Sequence, residues 1–247
     1  MNGSLQIFPI QTRVFGLGSS LAEFVTESLG FRGLRENDIL AITSKIISLA
    51  ENRIVWKADV TKDELVKKEA DIYLGEVLHG CHLTVKHGLF IPSAGIDESN
   101  AAGEYYILYP KDPFQSAFRI WQQLKEKYRI KNLGIILTDS HTSPLRKGVT
   151  GVALSHWGIR GVRNLIGKPD IFGSILKMTQ VSVVDALAAG AVLVMGEADE
   201  KVPLALLQYE NVDFTETTDV GECRMPILED LYSPIFRHLI PDDPQKV

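Results

Sequence analysis

Two short apolar segments that end abruptly in polar side chains constrain this chain more than any other feature. The first runs from Asp38 to Ile42 and enters Thr43-Ser44-Lys45, and the second runs from Leu133 to Thr138 and enters Asp139-Ser140. Uninterrupted apolar runs of this length are typical of buried strands. We therefore predict two buried strands that deliver polar groups at their carboxyl ends, in loops of the kind that carry binding and catalytic residues.

Helices and further strands surround these two segments. The patterns predict strands at Leu5–Ile10, Leu83–Val85, Leu89–Ile91, Tyr105–Tyr109 and Leu204–Leu207, and helices at Leu21–Leu29, Thr61–Glu69, Ser116–Tyr128, Val183–Met195 and Ile227–Leu239. Hairpins and glycine-rich loops separate them, which predicts an α+β (mixed α/β) fold rather than a regular doubly wound sheet. A change in composition after Val212 predicts a main domain, residues 1–212, and a C-terminal extension, residues 213–247.

Charge and composition exclude several classes of protein. The 247 residues carry 26 Lys and Arg against 31 Asp and Glu, a net charge of −5, which argues against a nucleic-acid partner. The longest apolar stretch, Ala186–Met195, is shorter than the roughly 20 residues of a membrane span. Met1–Ile10 lacks the basic start and apolar run of a signal peptide. Two isolated cysteines, Cys81 and Cys223, form no disulfide framework, so we expect a cytoplasmic protein without a membrane partner.

Carboxylates occur in three polar loops at the ends of apolar segments. These loops are Ser93–Asn100, Thr138–Ser140 and Met195–Asp199. Several hard oxygen ligands from different loops are what magnesium or manganese requires. Taken singly, each acid also fits an ordinary role in a turn or a helix cap, and spacing alone does not show that the three loops converge.

Basic residues accompany the acids and suggest phosphate chemistry. Lys45, Lys111 and Arg146 lie near the polar loops, and cations together with divalent metals share the charge of transferring phosphoryl groups. The familiar nucleotide fingerprints are absent. Gly161–Lys168 lacks the spacing of a P-loop, and Gly16-Leu17-Gly18 lacks the third glycine of a dinucleotide site. Ordinary solvated surface charge is the alternative reading of these cations.

The polar segments, taken in order, resemble one known family. They are Thr43–Ser48 with Ala50-Glu51, Ala94–Asn100, Pro110–Pro113 with Ser116-Ala117, Thr138–Ser140, Gly167–Asp170 with Gly173, and Met195–Pro203. Together they resemble the coenzyme F(420)-0:L-glutamate ligase family of nucleotide-dependent γ-glutamyl ligases, over about residues 5–212. The resemblance implies a two-lobed subunit with mixed sheets and an intertwined homodimer.

The resemblance also assigns roles to individual residues. It implies two divalent cations, magnesium or manganese, held by Asp97, Asp139, Ser140 and Glu197, with potassium as an optional further ion. It implies that GTP lies against Thr12, Arg13, Val14, Phe15, Ser44, Lys45, Asn100, Gly196, Glu197, Ala198, Asp199, Glu200, Lys201, Val202 and Pro203. We assign catalytic roles to Asp97 and Asp139, and to Arg146, whose bidentate fork suits a phosphate or an acceptor carboxylate.

Departures from the family pattern bear on the substrate. Leu49 replaces a common lysine, Asn52 a glycine, Ser174 an arginine, and Thr142–Arg146 a Gly-Arg-Pro-Trp-Arg segment. The pattern is closer to bacterial relatives assigned to folate metabolism. We therefore predict a ligase that uses GTP, or ATP, to add L-glutamate through an acyl phosphate to a folate-like or deazaflavin acceptor.

Two other functions remain compatible with the sequence. One is a non-catalytic nucleotide or cofactor binding protein, motivated by Leu49 and Ser143 at positions where the family carries other residues. The other is a metal-dependent phosphohydrolase that uses the same acids. Release of phosphate without glutamate or acceptor distinguishes the hydrolase from the ligase.

Overall fold

The structure, a computed structural model, describes residues 3–99, 101 and 103–236. Its α-helices are α1 (Leu21–Leu29), α2 (Ser44–Ala50), α3 (Lys62–Glu69), α4 (Pro113–Tyr128), α5 (Val183–Met195) and α6 (Ser233–Phe236). Its strands are β1 (Leu5–Ile10), β2 (Asp38–Thr43), β3 (Ile54–Trp56), β4 (Ile72–Glu76), β5 (His82–Lys86), β6 (Leu89–Pro92), β7 (Tyr105–Ile107), β8 (Leu133–Thr142), β9 (Val149–Trp157), β10 (Val162–Asn164), β11 (Gln180–Ser182) and β12 (Leu204–Tyr209).

A five-stranded sheet forms the centre of the molecule. Its order is β1-β12-β2-β8-β9, with β2 and β8 parallel and the other neighbours antiparallel. The parallel pairing runs from Asp38 opposite Leu133 to Thr43 opposite Thr138. The two apolar segments of the sequence are therefore adjacent central strands, and their polar ends meet at one edge of the sheet.

Both faces of this sheet are covered, which explains why β2 and β8 are apolar without alternation. Leu40 and Ile135 face one core, where they pack with α1, α2 and α4, whereas Ile39 and Ile136 face a second core against α5. Successive strand side chains point to opposite faces, so each half of the apolar run is buried on its own side.

A smaller core lies beneath α3. Leu65 and Val66 of that helix pack with Ile96, Tyr106 and the β3–β7 ribbon region. The helix begins at a capping box, in which the Thr61 side chain accepts from the Glu64 N–H and the Glu64 side chain accepts from the Thr61 N–H. The three-stranded sheet β4-β5-β6 adjoins this part of the chain.

The mixed α/β class is confirmed, and several of the predicted elements match. The strand at Leu5–Ile10 and the helices at Leu21–Leu29 and Val183–Met195 have the expected bounds. Tyr105–Tyr109 is shorter than expected and ends at Ile107. The C-terminal helix predicted at 227–239 is helical only at Ser233–Phe236 among residues 227–236, while 237–239 lie outside the described residues.

One correction bears directly on the site. Asp139 and Ser140 lie inside β8, which continues to Thr142, rather than in a loop after the strand. Antiparallel pairing with β9 extends the strand, because Asp139 is opposite Val152 and Ser140 is opposite Gly151. Separately, no helix among the described residues is long and apolar enough to cross a membrane.

Candidate active site

A lysine and an aspartate form an ion pair at the end of β2. Lys45 lies in the first turn of α2, directly after the strand, and its Nζ lies 2.6 Å from Asp97 Oδ2. The same Nζ donates to Ser99 Oγ at 3.1 Å, and the Ser99 N–H donates to Asp97 Oδ1 at 2.6 Å. The three residues therefore hold one another in place, and both carboxylate oxygens of Asp97 have partners.

A tight turn before Asp97 determines where this carboxylate lies. Ser93, Ala94 and Gly95 all have positive φ angles, of 51°, 53° and 69°. The Ala94 N–H donates to Thr84 Oγ1 at 2.8 Å, which ties the turn to β5. Positive φ is costly for residues other than glycine, so the surrounding contacts must impose this conformation.

Asp139 meets the same cluster from β8. The phenolic hydroxyl of Tyr109 donates a short hydrogen bond to Asp139 Oδ2. The Tyr109 ring lies against Gly95, where an added Cβ would come within 2.1 Å of the ring. The turn that precedes Asp97 and the side chain that contacts Asp139 are thus in direct contact.

The electrostatics show that these groups influence one another. Burial raises the pKa of Asp139 to about 6, with a further rise from the Asp97 charge and an opposing effect from Lys45. Partial burial also raises the pKa of Asp97, but the Lys45 ammonium and the Ser99 N–H outweigh it, so this pKa lies below its ordinary value. Burial holds the pKa of Tyr109 well above its ordinary value, so its hydroxyl remains a donor.

The loops expected to hold a nucleotide lie side by side at the neighbouring strand ends. The Thr12 N–H donates to the Lys201 carbonyl at 3.0 Å, and the Thr43 N–H donates to the Pro203 carbonyl at 3.0 Å. Gln11 Nε2 reaches the Glu200 carbonyl at 3.3 Å. The segment before α1 and the 196–203 loop therefore converge on the end of β2, from which Lys45 emerges.

Within the 196–203 loop, backbone and side chain determine the local conformation. Gly196 ends α5 with a φ of 79°, and the Ala198 N–H donates to Glu200 Oε2 at 2.8 Å. Glu197, Asp199 and Lys201 are exposed. The loop thus presents its charged side chains to solvent beside the end of β2, while Val202 and Pro203 lead back into the sheet.

Other candidate residues are placed differently. Phe15 is buried, with its ring 4.9 Å from that of Phe24, and Arg13 pairs with Glu27 at 3.2 Å, while Val14 is exposed. Ser44, the first residue of α2, is buried. Asn100 lies outside the described residues.

Arg146 occupies the turn between β8 and β9. Its side chain is exposed, and within the described chain it has no ion pair to a carboxylate. The turn lies beyond Thr142, past the part of β8 that holds Asp139. Among the described residues, no hydrogen bond or ion pair joins the Arg146 side chain to Lys45, Asp97 or Asp139.

Asp97 and Asp139 are the carboxylates of this cluster that could act as oxygen ligands of a hard divalent cation. Asp139 is a partly buried carboxyl that accepts from the Tyr109 hydroxyl, and the hydroxyl of Ser140 follows it in the strand. Across residues 3–99, 101 and 103–236, no three acids, histidines or cysteines come together as a metal group. Asp97, Asp139 and Glu197 therefore do not form a three-acid metal group among these residues.

Sequence reasoning missed Tyr109, which links the cluster together. The residue lies just after β7, in a stretch that reads simply as an apolar strand followed by Pro110. Its role depends on a contact with Asp139, 30 residues away in sequence. No local pattern marks a tyrosine whose hydroxyl meets a carboxylate from a distant strand.

Comparison of the sequence with known proteins shows which family the chain belongs to. The sequence model described as F420-0:Gamma-glutamyl ligase matches residues 9–209. The chain belongs to this family. It is 33% identical to the coenzyme F420:L-glutamate ligase of Methanopyrus kandleri, an alignment that covers 77% of this chain and 81% of that protein.

Two further relatives of the gamma-glutamyl ligase family carry the same name. The coenzyme F420:L-glutamate ligase of Methanococcus maripaludis strain C6 is 36% identical and covers 75% of this chain and 81% of that protein. That of Methanocaldococcus jannaschii is 31% identical and covers 85% and 90%. The family match contains Lys45, Asp97, Tyr109 and Asp139, whereas residues 213–236 lie beyond it.

Proposed function

We propose that this protein is a γ-glutamyl ligase that forms an amide bond between L-glutamate and a carboxylate of a cofactor. The observation that carries this proposal is the group formed by Lys45 just after β2, Asp97 after the 93–95 turn and Asp139 within β8, beside the paired 11–13 and 200–203 segments. Membership in a family of gamma-glutamyl ligases supports the reaction class.

GTP supplies the driving force in this proposal. An oxygen of the acceptor carboxylate attacks the γ-phosphorus, and the bond from that phosphorus to the β,γ-bridging oxygen breaks to release GDP. The amine of glutamate, after losing a proton, then attacks the acyl carbon. The bond from that carbon to the phosphate oxygen breaks, so inorganic phosphate leaves and the amide remains.

The residues of the chain act mainly by position and charge. Lys45 would hold a phosphate oxygen; its ammonium lies just past the end of β2, where it contacts Asp97 and Ser99. Asp97 and Asp139 would hold magnesium or manganese, with Ser140 beside them. The metal would neutralise phosphate charge during transfer. Tyr109 keeps Asp139 oriented by donating to its Oδ2.

The names of the relatives support a chemical class for the acceptor molecule. The relatives are named coenzyme F420:L-glutamate ligases, which supports a deazaflavin acceptor. The departures at Leu49, Asn52 and Ser174 motivate a folate-type acceptor as the alternative. Both acceptors present a carboxylate to which a glutamyl unit can be added.

A homodimer is also part of the proposal, supported by an apolar arm between β10 and β11. Backbone bonds such as Gly167 N–H to the Leu176 carbonyl, at 2.8 Å, fold the arm into a ribbon. Ile171, Phe172 and Met178 are 92%, 87% and 71% exposed. Large apolar side chains concentrated on an ordered arm are typical of an interface.

One experiment tests the reaction. The protein is incubated with GTP or ATP, magnesium or manganese, and glutamate, with tetrahydrofolate and the deazaflavin acceptor offered in parallel, and the products are followed by mass. A gain of one glutamyl unit with stoichiometric phosphate is the expected result. Phosphate release without glutamate or acceptor would instead indicate a hydrolase, and no turnover under any condition would indicate a binding protein.

A further inference from the structure

Two adjoining pockets lie near Tyr109, because the ring of His87, which lines both, has its centroid 6.3 Å from that of the Tyr109 ring. The first has a volume of about 420 Å³ and the second about 300 Å³, and His87 and Lys111 line both. Arg53, which lines the second, donates from Nε to the Tyr109 carbonyl at 2.9 Å. Volumes of this size are typical of sites for small molecules.

Positive charge dominates the walls of this pair of pockets. Five Lys and Arg residues line them, against two carboxylates: Arg53, Lys68, Lys86, Lys111 and Arg224 against Glu69 and Asp112. Arg53 pairs with Glu69 at 2.8 Å, and Asp112 Oδ1 accepts from the N–H of Gln115 as the cap of α4. Both acids are thus already engaged.

Three of the cations have no such partner. Considering only the residues that the structure describes, no carboxylate lies within 4 Å of Lys68, Lys111 or Arg224. Lys86, by contrast, pairs with Asp71 at 3.0 Å. An uncompensated group of cations around a cavity attracts a ligand with more than one negative charge.

Two buried polar atoms belong to residues that line the first pocket. His87 Nε2 and Trp157 Nε1 are both enclosed without a hydrogen-bond partner in the described part of the chain. Burial lowers the pKa of His87 below its ordinary value, so its unpartnered nitrogen is suited to accept from an N–H, whereas the indole of Trp157 can only donate. Buried polar atoms without partners are rare in folded proteins, and an amide next to a carboxylate would satisfy both.

The C-terminal segment supplies part of this wall. Val220 and Arg224 line the first pocket but lie beyond the family match, which ends at residue 209. The segment is anchored by Glu222, whose Oε1 lies 2.9 Å from His156 Nε2 and accepts from the Gly161 N–H at 2.5 Å. The pocket in its present form is therefore a property of this chain and not of the matched domain alone.

We infer that the two pockets form a subsite for a γ-linked glutamyl chain, whose α-carboxylates meet Lys68, Lys111 and Arg224 and whose amide lies near His87 and Trp157. This inference rests on the proposed function, because repeated addition of glutamate to the γ-carboxylate of the preceding unit would produce such a chain. The ligand class is an oligocarboxylate with amide links. The site would hold the acidic tail of an acceptor or product while the reaction takes place at the group of Lys45, Asp97 and Asp139.

Direct binding of γ-L-glutamyl-γ-L-glutamyl-L-glutamate to the full chain, measured by titration calorimetry, tests the inference. We expect binding that weakens as salt is added, and Lys111→Ala and Arg224→Gln each to weaken it roughly threefold to tenfold, as expected for loss of a charged hydrogen bond. Lys127→Ala and Arg119→Gln, on exposed parts of α4 outside both pockets, are matched controls expected to bind as the unsubstituted chain does.

Three results would overturn the inference. They are absence of tripeptide binding, equal weakening by the control variants, and complete competition by inorganic phosphate at the same concentration, which would indicate a general oxyanion site. Glutamyl transfer is measured in parallel. Glutamyl transfer without tripeptide binding would contradict the subsite but support the proposed function. Tripeptide binding without glutamyl transfer would contradict the proposed function but support the subsite.

Discussion

Gly95 lies directly beneath the ring of Tyr109, so the turn before one candidate metal ligand supports the side chain that contacts the other. A Cβ at Gly95 would come within 2.1 Å of the ring, and the φ of this glycine is 69°. Asp97 follows the turn by two residues, and Tyr109 donates to Asp139. The two aspartates are therefore coupled through packing as well as through charge.

Gly95→Ala should therefore damage both stability and activity. The added methyl group combines a positive φ with overpacking against Tyr109, and we expect a loss of about 3 kcal/mol or more in the free energy of unfolding. Gly80→Ala is the matched control, since its φ is 66° but nothing lies within 4 Å of the added Cβ. The control should lose only about 1 kcal/mol. Equal losses in the free energy of unfolding of the two variants, measured by chemical denaturation, would contradict the proposed contact between Gly95 and the Tyr109 ring.

The polar ends of the apolar runs in β2 and β8 are features that can be predicted from the sequence alone. Continuous apolar runs at β2 and β8 indicate strands buried on both faces, and a polar residue directly after such a run is recognisable without any structure. Asp139 and Lys45 can be identified in this way, whereas Asp97 is identified only as an acid of the polar loop 93–100. Their convergence cannot be predicted in this way, because it depends on parallel pairing between residues nearly 100 positions apart, such as Ile42 and Leu137.

Other features could not be predicted from the sequence because they depend on contacts between segments that lie far apart in the chain. Helix α2 was missed because Ser44 and Lys45 look like the polar end of a strand, yet the chain turns directly into a helix there. The extension of β8 past Thr138 depends on pairing with β9, whose own pattern is weak. The local sequence around Tyr109 resembles an apolar strand, and nothing in it indicates the hydrogen bond from the Tyr109 hydroxyl to Asp139. Local patterns indicate elements, whereas contacts between distant segments determine the site.

Lys45→Ala should weaken nucleotide binding while the fold persists. Its ammonium is the cation paired with Asp97, and its loss leaves that carboxylate facing the phosphates. We expect the GTP dissociation constant to rise about tenfold, as for removal of a charged hydrogen bond. Lys57→Ala, which breaks a pair with Glu98 at 3.0 Å, is the control and should leave GTP binding unchanged. An unaltered GTP affinity in Lys45→Ala would reduce Lys45 to a structural partner of Asp97.

The apolar arm should determine the oligomeric state. We expect the unsubstituted protein to be a dimer by light scattering and Phe172→Asp to be a monomer, because a charge on a side chain that is 87% exposed in the single chain is costly once buried in an interface. Leu193→Asp places the same charge on a side chain that is 82% exposed on α5, outside the arm. A dimer that survives Phe172→Asp, or a monomer before any substitution, would contradict this assignment.

Stability should decrease in mild acid because of His156. Burial lowers the pKa of this imidazole, and Glu222 opposes the effect only in part. The unfolded histidine, with a pKa of about 6.5, takes up a proton that the folded one does not, so this contribution is complete above about pH 6.5 and is lost as the pH falls through the folded pKa.

Denaturant midpoints at about pH 7.5 and about pH 5.5 measure this dependence. His156→Gln should reduce the difference between the two midpoints. His79→Asn changes an exposed histidine whose φ is 63°, a conformation that asparagine tolerates, and should leave the difference unaltered. The same difference in all three proteins would assign the acid sensitivity to another group.

Asp139→Asn is the sharpest test of the proposed reaction. The substitution keeps the shape of the side chain and an oxygen that can accept from Tyr109, but it removes the charge that a hard divalent cation requires. We expect turnover to fall on the order of a hundredfold or more, equivalent to roughly 3 kcal/mol of transition-state stabilisation. Metal affinity should fall with it, while the melting temperature without metal changes little, because burial already disfavours the charged carboxyl.

Asp59→Asn, at an exposed position, controls for charge alone. A variant that melts much earlier but keeps its activity per folded molecule would make Asp139 a scaffold residue and leave the proposed metal site without its central ligand.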